Sequence, residues 1–272
     1  MKPEAKGFIA ACGLLVAGAL LPHAAHAGGS RIGPEFALST SELHAMTQSL
    51  PQGVQAHILA SPVDFLRLVA KILDEPAGFF VLVDKTHTLP PDFAPDDLVN
   101  LKAYRLTVSW GDILLRKAIL PAVMEMTSAA KADGIALSYS SGYRSFEYQS
   151  YVYAREVSTY GQEMADRESA RPGASQHQLG TAIDFGSITD AFAQTRAGKW
   201  LVAHAWEYGF SLSYPEGDEG ITGYRYESWH YRFITKPGAL LQRRYFGDIQ
   251  QYLLEFLDAN RAVLEAKRLK RS

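Results

Sequence analysis

Two short stretches, separated by about fifty residues, constrain this chain more than any other feature, because its fold has to bring them together. The first, SQHQLGTAID, runs from Ser175 to Asp184, and the second, ESWH, runs from Glu227 to His230. His177, Asp184 and His230 offer two nitrogens and one oxygen, the three-ligand set of hydrolytic zinc that leaves a fourth position for water. The two stretches therefore predict an open zinc site, with one zinc ion per chain.

A hydrolytic zinc site also needs a carboxylate that takes a proton from water and passes it to the leaving amine. Glu227 lies one turn before His230 and is suitably placed for that task. Gly180, between His177 and Asp184, allows the backbone to turn so that the two ligands converge. Each stretch alone is a weak signal, but their occurrence in one chain predicts a metallopeptidase.

The amino terminus indicates export. An apolar run from Phe8 to Leu21 follows two lysines and is too short to span a membrane comfortably. Ala25-His26-Ala27 then matches the small-x-small pattern that signal peptidases cut, so residues 1–27 are predicted to be a signal peptide. The mature protein is expected to begin near Gly28 and to reside in the periplasm or cell envelope of a bacterium.

Cysteine usage and charge exclude several classes of protein. Cys12 is the only cysteine and lies within the predicted signal peptide, so the mature chain has neither disulfides nor thiolate metal ligands. Its stability has to come from a hydrophobic core. The formal net charge is −2, and no basic surface typical of nucleic-acid binding is evident. No stable protein partner is implied.

Apolar periodicity and turn residues predict an alternation of helices and short strands. Helices are expected over residues 38–74, 112–132, 146–159, 198–208 and 239–269, and strands over residues 79–83, 135–140, 181–185, 210–214 and 231–234. An irregular polar stretch is expected between the third helix and Ser175. This order predicts an α+β fold, with a small, mainly antiparallel sheet, flanking helices and the zinc site on the open face of the sheet.

The match to a known family extends beyond the ligands. The chain resembles the VanY-type D-alanyl-D-alanine carboxypeptidases, which belong to the LAS superfamily of zinc peptidases together with the D,D-dipeptidases and Hedgehog-type domains. The resemblance covers about residues 80–234. It rests on the two stretches described above and on four further segments: Ser141-Gly142-Tyr143-Arg144-Ser145, Ala170-Arg171-Pro172-Gly173, Tyr208-Gly209-Phe210 and Ile221-Thr222-Gly223-Tyr224.

The resemblance implies a role for each matching position. The aligned His177, Asp184 and His230 bind zinc, and Glu227 is the general acid and base. Arg144 meets the terminal carboxylate of the substrate, a task that suits a guanidinium group because it offers two parallel hydrogen bonds. Ser175 is expected to hydrogen-bond the substrate near the scissile unit. Further substrate contacts are predicted at Ser141, Tyr143, Gln149 and Trp229.

These roles predict an exported enzyme that removes a C-terminal D-alanine from the stem peptide of peptidoglycan or from its precursor. The predicted organisation is a helical N-terminal extension over residues 28–78, a zinc D,D-carboxypeptidase domain over residues 79–236 and a C-terminal helix over residues 237–272.

Three alternatives stay open. The same scaffold could act as an L,D-carboxypeptidase, a D,D-dipeptidase or an endopeptidase, since these activities differ only in the walls of the pocket. A zinc-containing but inactive module that binds cell-wall peptides is a second alternative, against which Glu227 argues. A purely structural zinc site is the third, but such sites close their shell with four side chains and only three candidates are found.

Overall fold

Three helices open the part of the chain, residues 31 to 269, that the computed structural model describes. They are α1 (Thr40–Met46), α2 (Gln52–Ala60) and α3 (Pro62–Ile72). Ser39 caps α1 through a reciprocal pair of hydrogen bonds with Glu42. The single helical span predicted over residues 38–74 is divided because Pro51 and Pro62, which lack a backbone N–H, stand where α2 and α3 begin.

The predicted signal peptide over residues 1–27 lies outside the described residues. Within residues 31 to 269, no helix combines the length and the apolar character needed to cross a membrane.

The strand predicted over Phe79–Val83 was wrong. A 3-10 turn, Ala77–Phe80, overlaps the start of this segment, and the extended chain that follows pairs with no strand among residues 31 to 269. Its carbonyl groups bind a side chain instead, since the buried guanidinium of Arg232 donates to the carbonyl oxygens of Phe79 (3.2 Å) and Val81 (2.7 Å). An apolar composition was therefore not enough to make this segment a strand.

A short antiparallel pair precedes the main sheet. It consists of β1 (Leu98–Asn100) and β2 (Leu114–Arg116), with Leu98 opposite Arg116. The helix predicted over residues 112–132 begins only after β2 and a 3-10 turn, as α4 (Leu120–Ala132). Gly134 follows α4 with a φ of +71°, as expected for a residue that ends a helix.

Four antiparallel strands form the main sheet, in the spatial order β3-β4-β6-β5. They are β3 (Tyr139–Ser141), β4 (Ala182–Phe185), β5 (Phe210–Leu212) and β6 (His230–Phe233). β4, β5 and β6 each lie within one residue of a predicted strand, whereas β3 includes only the last two residues of the strand predicted over residues 135–140. Since β4 and β6 are fully buried neighbours at the centre of the sheet, a side chain on one strand lies beside the other strand.

Further helices lie between the strands, and one prediction for this part of the chain needs correction. α5 (Phe146–Tyr160) begins after the cap residue Ser145, as predicted. The stretch expected to be irregular contains α6 (Gln162–Glu168). α7 (Arg196–His204) continues through a 3-10 turn to Gly209. α8 (Glu219–Thr222) is a single helical turn that precedes the ESWH stretch, Glu227–His230.

The C-terminal segment is not the single helix predicted over residues 237–272. It forms α9 (Lys236–Tyr245) and α10 (Gln250–Lys267). Between them Gly247 and Asp248 have φ values of +64° and +62°, a left-handed conformation that a helix cannot continue through.

One core joins the N-terminal helices, the sheet and the C-terminal helices. Phe65 of α3 packs with ring centroids 5.2 Å from Tyr245 and 5.5 Å from Phe256. These side chains and Phe185 of β4 belong to one continuous cluster of buried apolar residues. The predicted α+β class with a small antiparallel sheet and flanking helices is confirmed, and the boundaries near residues 78 and 236 stay predictions.

Candidate active site

The turn that carries His177 is built by its neighbours in the first stretch. Ser175 caps a 3-10 turn, Gln176–Leu179, by accepting a hydrogen bond from the backbone N–H of His177 (3.3 Å). Gly180 ends the turn with a φ of +68°, a conformation that glycine adopts without strain. A Cβ there would lie 3.0 Å from the side chain of Arg116. The chain then enters β4, as predicted, and brings Asp184 to the same place.

The sheet brings the two stretches together. Asp184 of β4 lies directly opposite His230 of β6 in the strand register. Its Oδ1 is 2.9 Å from His230 Nδ1, and its Oδ2 is 3.2 Å from His177 Nε2. One donor atom from each of the three residues falls within 4.8 Å of the others. All three side chains are buried.

The donor set suits a metal ion. His177 Nδ1 is 2.6 Å from the backbone oxygen of Gly142. His177 Nε2 is buried and, although it lies 3.2 Å from Asp184 Oδ2, it has hydrogen-bond geometry with none of the described residues. A buried polar atom without a partner is costly unless something coordinates it. Two imidazole nitrogens and one carboxylate oxygen, with no thiolate, match the ligands of hydrolytic zinc.

Electrostatics favour the ligand forms of two of these groups. Burial and the charge of Arg144 lower the pKa of His177 to about 4, so its imidazole is neutral at pH 7. Burial alone would raise the pKa of Asp184, but the neighbouring His177 and His230 hold it well below its ordinary value. Since a metal binds neutral imidazole and ionised carboxylate, these residues need no further deprotonation at neutral pH.

Glu227 lies beside the cluster without belonging to it. Its Oε2 is 3.7 Å from His230 Nδ1, and 13% of its side chain is exposed. Burial and the charge of Asp184 raise the pKa of Glu227 to about 8, against the opposing effect of Arg144 and Arg225. A carboxyl group with such a pKa can exchange a proton near neutrality.

The guanidinium group of Arg144 is held on two sides. Its Nη1 donates to Gln149 Oε1 (3.0 Å) and its Nη2 to Asp184 Oδ2 (3.3 Å). Gln149 is itself anchored by donation from its Nε2 to the carbonyl oxygen of Ala170 (2.7 Å). One fifth of the Arg144 side chain is exposed. The predicted contact residue Gln149 thus orients Arg144.

Two cavities meet at Arg144 and Glu227. The first, here called the small cavity, has a volume of about 50 Å³ and is lined by Ser175, His177 and His230 among others. The second, here called the outer groove, has a volume of about 380 Å³ and is lined by the predicted contact residues Ser141 and Trp229 as well as by exposed aromatic side chains. The aromatic residues are Trp110, Tyr148 and Tyr160.

The predicted contact residue Tyr143 is half-buried and lines neither of these cavities. Its backbone N–H donates to the carbonyl oxygen of Leu114 (2.7 Å), so it joins β2 to the segment that carries Arg144.

Several residues at the site were missed by sequence reasoning. Gln176 lies between two motif residues, and its Oε1 is 3.3 Å from His230 Nε2. The rings of Tyr214 and His230 have centroids 4.9 Å apart, and Tyr224 packs against Tyr214 at the same distance. Tyr224 belonged to a segment of the family resemblance, which was the available signal for it, whereas Tyr214 had been predicted only as a strand end.

The raised pKa of Glu227 predicts a pH dependence of stability in the metal-free protein. Because the folded pKa of about 8 exceeds the ordinary 4.5, the native state holds this proton more tightly, and its stability falls as pH rises between these values. The Glu227→Gln variant lacks this loss. The free energy of unfolding of the variant minus that of the unchanged protein is expected to increase by roughly 3 kcal/mol between about pH 5 and pH 8.

Urea unfolding of both metal-free proteins at the two pH values measures this difference. His177, whose lowered pKa acts in the opposite direction below about pH 6.5, is present in both proteins, so its effect cancels. An advantage that does not change with pH would show that Glu227 has an ordinary pKa.

Comparisons with known proteins agree with this geometry. A family model for VanY, D-alanyl-D-alanine carboxypeptidase, matches residues 112–236. The YodJ protein of Bacillus subtilis (strain 168) is 36% identical in an alignment of 174 residues that covers 61% of this chain and 64% of YodJ. This chain spans between 57% and 64% of the length of three curated relatives that it matches.

Two solved structures share the fold. The LD-carboxypeptidase LdcB is 34% identical with a TM-score of 0.58, and the match covers 65% of this chain and 85% of LdcB. The D,D-pentapeptidase VanY from a VanB-type vancomycin resistance cassette was solved in complex with Zn(II). It is 27% identical with a TM-score of 0.55, and the match covers 65% of this chain and 99% of that VanY. The family model and the fold shared with LdcB together show that the chain belongs to the VanY-type carboxypeptidases.

Proposed function

We propose that this protein is an exported zinc carboxypeptidase that removes a C-terminal D-alanine from peptidoglycan stem peptides or their precursors. The observation that carries the proposal is the convergence of the buried donors of His177, Asp184 and His230 with Glu227 and Arg144. The first three would hold one zinc ion per chain. The signal-like amino terminus supports a location in the periplasm or cell envelope, where such peptides occur.

When bound, zinc supplies a Lewis acid that lowers the pKa of water and polarises a carbonyl group. The ionised form of Glu227 accepts a proton from the attacking water and passes it to the amide nitrogen as the C–N bond breaks. The products are a peptide shortened by one residue, with a new terminal carboxylate, and a free amino acid. Glu227 would act in its ionised form, which a cation held by the neighbouring His177, Asp184 and His230 would favour.

Arg144 is proposed to decide where the chain is cut. A guanidinium group that binds the terminal carboxylate places the last amide bond, and no other, beside the metal ligands. The small cavity lies next to Arg144 and is closed in by the rings of Tyr214 and Tyr224. Its volume of about 50 Å³ limits the size of the group that can lie beside Arg144. These features support an exopeptidase that releases a single alanine.

A second candidate is L,D-carboxypeptidase activity on tetrapeptide stems. The observation that favours it is the greater identity of this chain to LdcB, 34%, than to the D,D-pentapeptidase VanY, 27%. The two activities differ in the configuration of the residue before the cut, which lies on the side of the outer groove.

Mass spectrometry of peptide products distinguishes these candidates. The purified zinc form is incubated with defined pentapeptide and tetrapeptide stems, each with a free or an amidated C-terminus. Release of one alanine from the pentapeptide supports the D,D-activity, whereas release from the tetrapeptide alone supports the L,D-activity. Release of a dipeptide, or an internal cut, would contradict both.

Replacing Arg144 by Ala is expected to lower kcat/KM for the free peptide by about 10- to 100-fold, since a charge-assisted hydrogen bond to the substrate contributes about 1.5–3 kcal/mol. The amidated peptide should be a poor substrate for the unchanged protein and should lose little further in the variant. Steady-state kinetics of both proteins with both peptides measures these changes in kcat/KM.

The control for this variant is Arg67→Ala, which removes an exposed arginine of α3 and should leave both rates unchanged. An equal loss for free and amidated peptides in Arg144→Ala would show that Arg144 does not bind the terminal carboxylate.

A further inference from the structure

A chain of buried amide side chains connects the C-terminal helix to His230. Gln250, the first residue of α10, donates from Nε2 to the backbone oxygen of Ser211 (3.4 Å). Gln176 donates from Nε2 to Gln250 Oε1 (3.2 Å) and places its Oε1 3.3 Å from His230 Nε2. The hydroxyl of Ser213 donates to Gln176 Oε1 (2.8 Å). Gln176, Gln250 and Ser213 are each no more than 3% exposed.

The backbone oxygen of Ser211 determines how the two amide groups in this hydrogen-bonded chain are oriented. The backbone oxygen of Ser211 can only accept, so it requires the amide nitrogen of Gln250 to face it. Gln250 then turns its oxygen towards Gln176, which must present its own amide nitrogen in return. Gln176 is left with its oxygen facing His230. Reversing either amide would bring two acceptors or two donors face to face.

The orientation of the Gln176 amide influences the tautomer of His230, because a neutral imidazole carries its proton on one nitrogen only. An oxygen acceptor at Nε2 favours the tautomer with the proton on Nε2, which leaves the lone pair on Nδ1. Nδ1 is the nitrogen that lies 2.9 Å from Asp184 Oδ1, within the ligand cluster. Without a metal this carboxylate competes with Gln176 for the proton of His230, so the preference set by Gln176 is decisive once a cation occupies the cluster. The hydrogen bond made by one ring nitrogen of a metal-binding histidine in general selects the nitrogen that coordinates.

We propose that Gln250, acting through Gln176, is a positioning residue that fixes the tautomer of His230 for metal binding. The inference rests on the proposed zinc function. It assigns to α10, which lies outside the residues 112–236 matched by the family model, a part in building the metal site.

The neighbouring Gln251 offers a matched control. It is also buried on the first turn of α10, but its Nε2 donates to Asp84 Oδ2 (2.8 Å) and to Glu255 Oε1 (2.9 Å). Neither acceptor belongs to the ligand cluster. A change from Gln to Met keeps the length of the side chain and removes the amide. Gln250→Met and Gln251→Met therefore remove equivalent groups from the same helix, and only one of them is connected to His230.

Zinc affinity and the tautomer of His230 are the two readouts. Competition with a chromophoric chelator measures the Kd of each variant for zinc, and two-bond ¹H–¹⁵N correlation spectra identify the tautomer of His230 in the zinc-bound protein. Gln250→Met is expected to weaken zinc binding by about 10- to 100-fold and to give a mixture of tautomers. Gln251→Met should keep the Nε2–H tautomer and the Kd of the unchanged protein.

An unchanged Kd in a folded Gln250→Met protein overturns the proposal, and so does a His230 that stays in the Nε2–H tautomer. If Gln250→Met does not fold, Gln176→Met decides in its place, since it removes the acceptor next to His230 and should weaken zinc binding at least as much. An unchanged protein that binds no zinc would instead overturn the proposed function, which separates that failure from failure of this inference.

Discussion

Replacing Glu227 by Gln is expected to lower the turnover of the peptide substrate by roughly 10²- to 10⁴-fold, the usual contribution of a general acid and base. The amide of glutamine keeps the size of the side chain but cannot carry the proton from water to the leaving nitrogen. Zinc should stay bound, because Glu227 is not one of the three grouped donors. Steady-state kinetics and metal analysis of the same preparation measure both effects.

The control is Glu163→Gln, the same chemical change at an exposed position on α6. It should leave turnover and zinc content unaltered. If the Glu227 variant turned over substrate at a rate close to that of the unchanged protein, Glu227 would have no part in proton transfer.

Removing the metal is expected to abolish hydrolysis altogether. Chelation takes away the group that lowers the pKa of water, and the remaining side chains have no other means of generating a nucleophile of comparable strength. Adding about one equivalent of zinc per chain should restore activity. Zinc bound at 100 times its Kd stabilises the folded state by about 2.7 kcal/mol, so the metal-free protein should also melt at a lower temperature.

His177→Ala should reproduce the metal-free state even when zinc is present, because it removes the ligand whose Nε2 has no hydrogen-bond partner among the described residues. His44→Ala, which removes an exposed histidine of α1, is the matching control and should retain zinc and activity. A metal-free preparation with full activity would contradict the zinc mechanism.

Local sequence was sufficient to predict the elements that carry the ligands. The turn around Gly180 and the short strands that hold Asp184 and His230 depend on residues within a few positions of each other, and each was found close to its predicted place. Their convergence could be inferred only from chemistry, since nothing local specifies that β4 and β6 are neighbours in the sheet. The match of residue types to a metal site supplied that long-range information.

Contacts between distant segments explain what sequence reasoning missed. Phe79–Val83 has the composition of a strand, but its carbonyl groups face the guanidinium of Arg232, more than 150 positions away. The break before α10 depends on left-handed residues whose conformation composition did not reveal. Gln176 meets Gln250 across 74 positions, so neither residue carries a local sign of its place at the site.

The two ends of the described chain form a small seam of backbone hydrogen bonds. Phe36 bridges to Arg268, the N–H of Ala37 donates to the oxygen of Lys267 (2.8 Å), and that of Leu269 donates to the oxygen of Glu35 (2.9 Å). Contacts with such a large sequence separation form late, because a long loop must close before they contribute. During synthesis, the N-terminal helices would therefore wait for α10 before their core was complete.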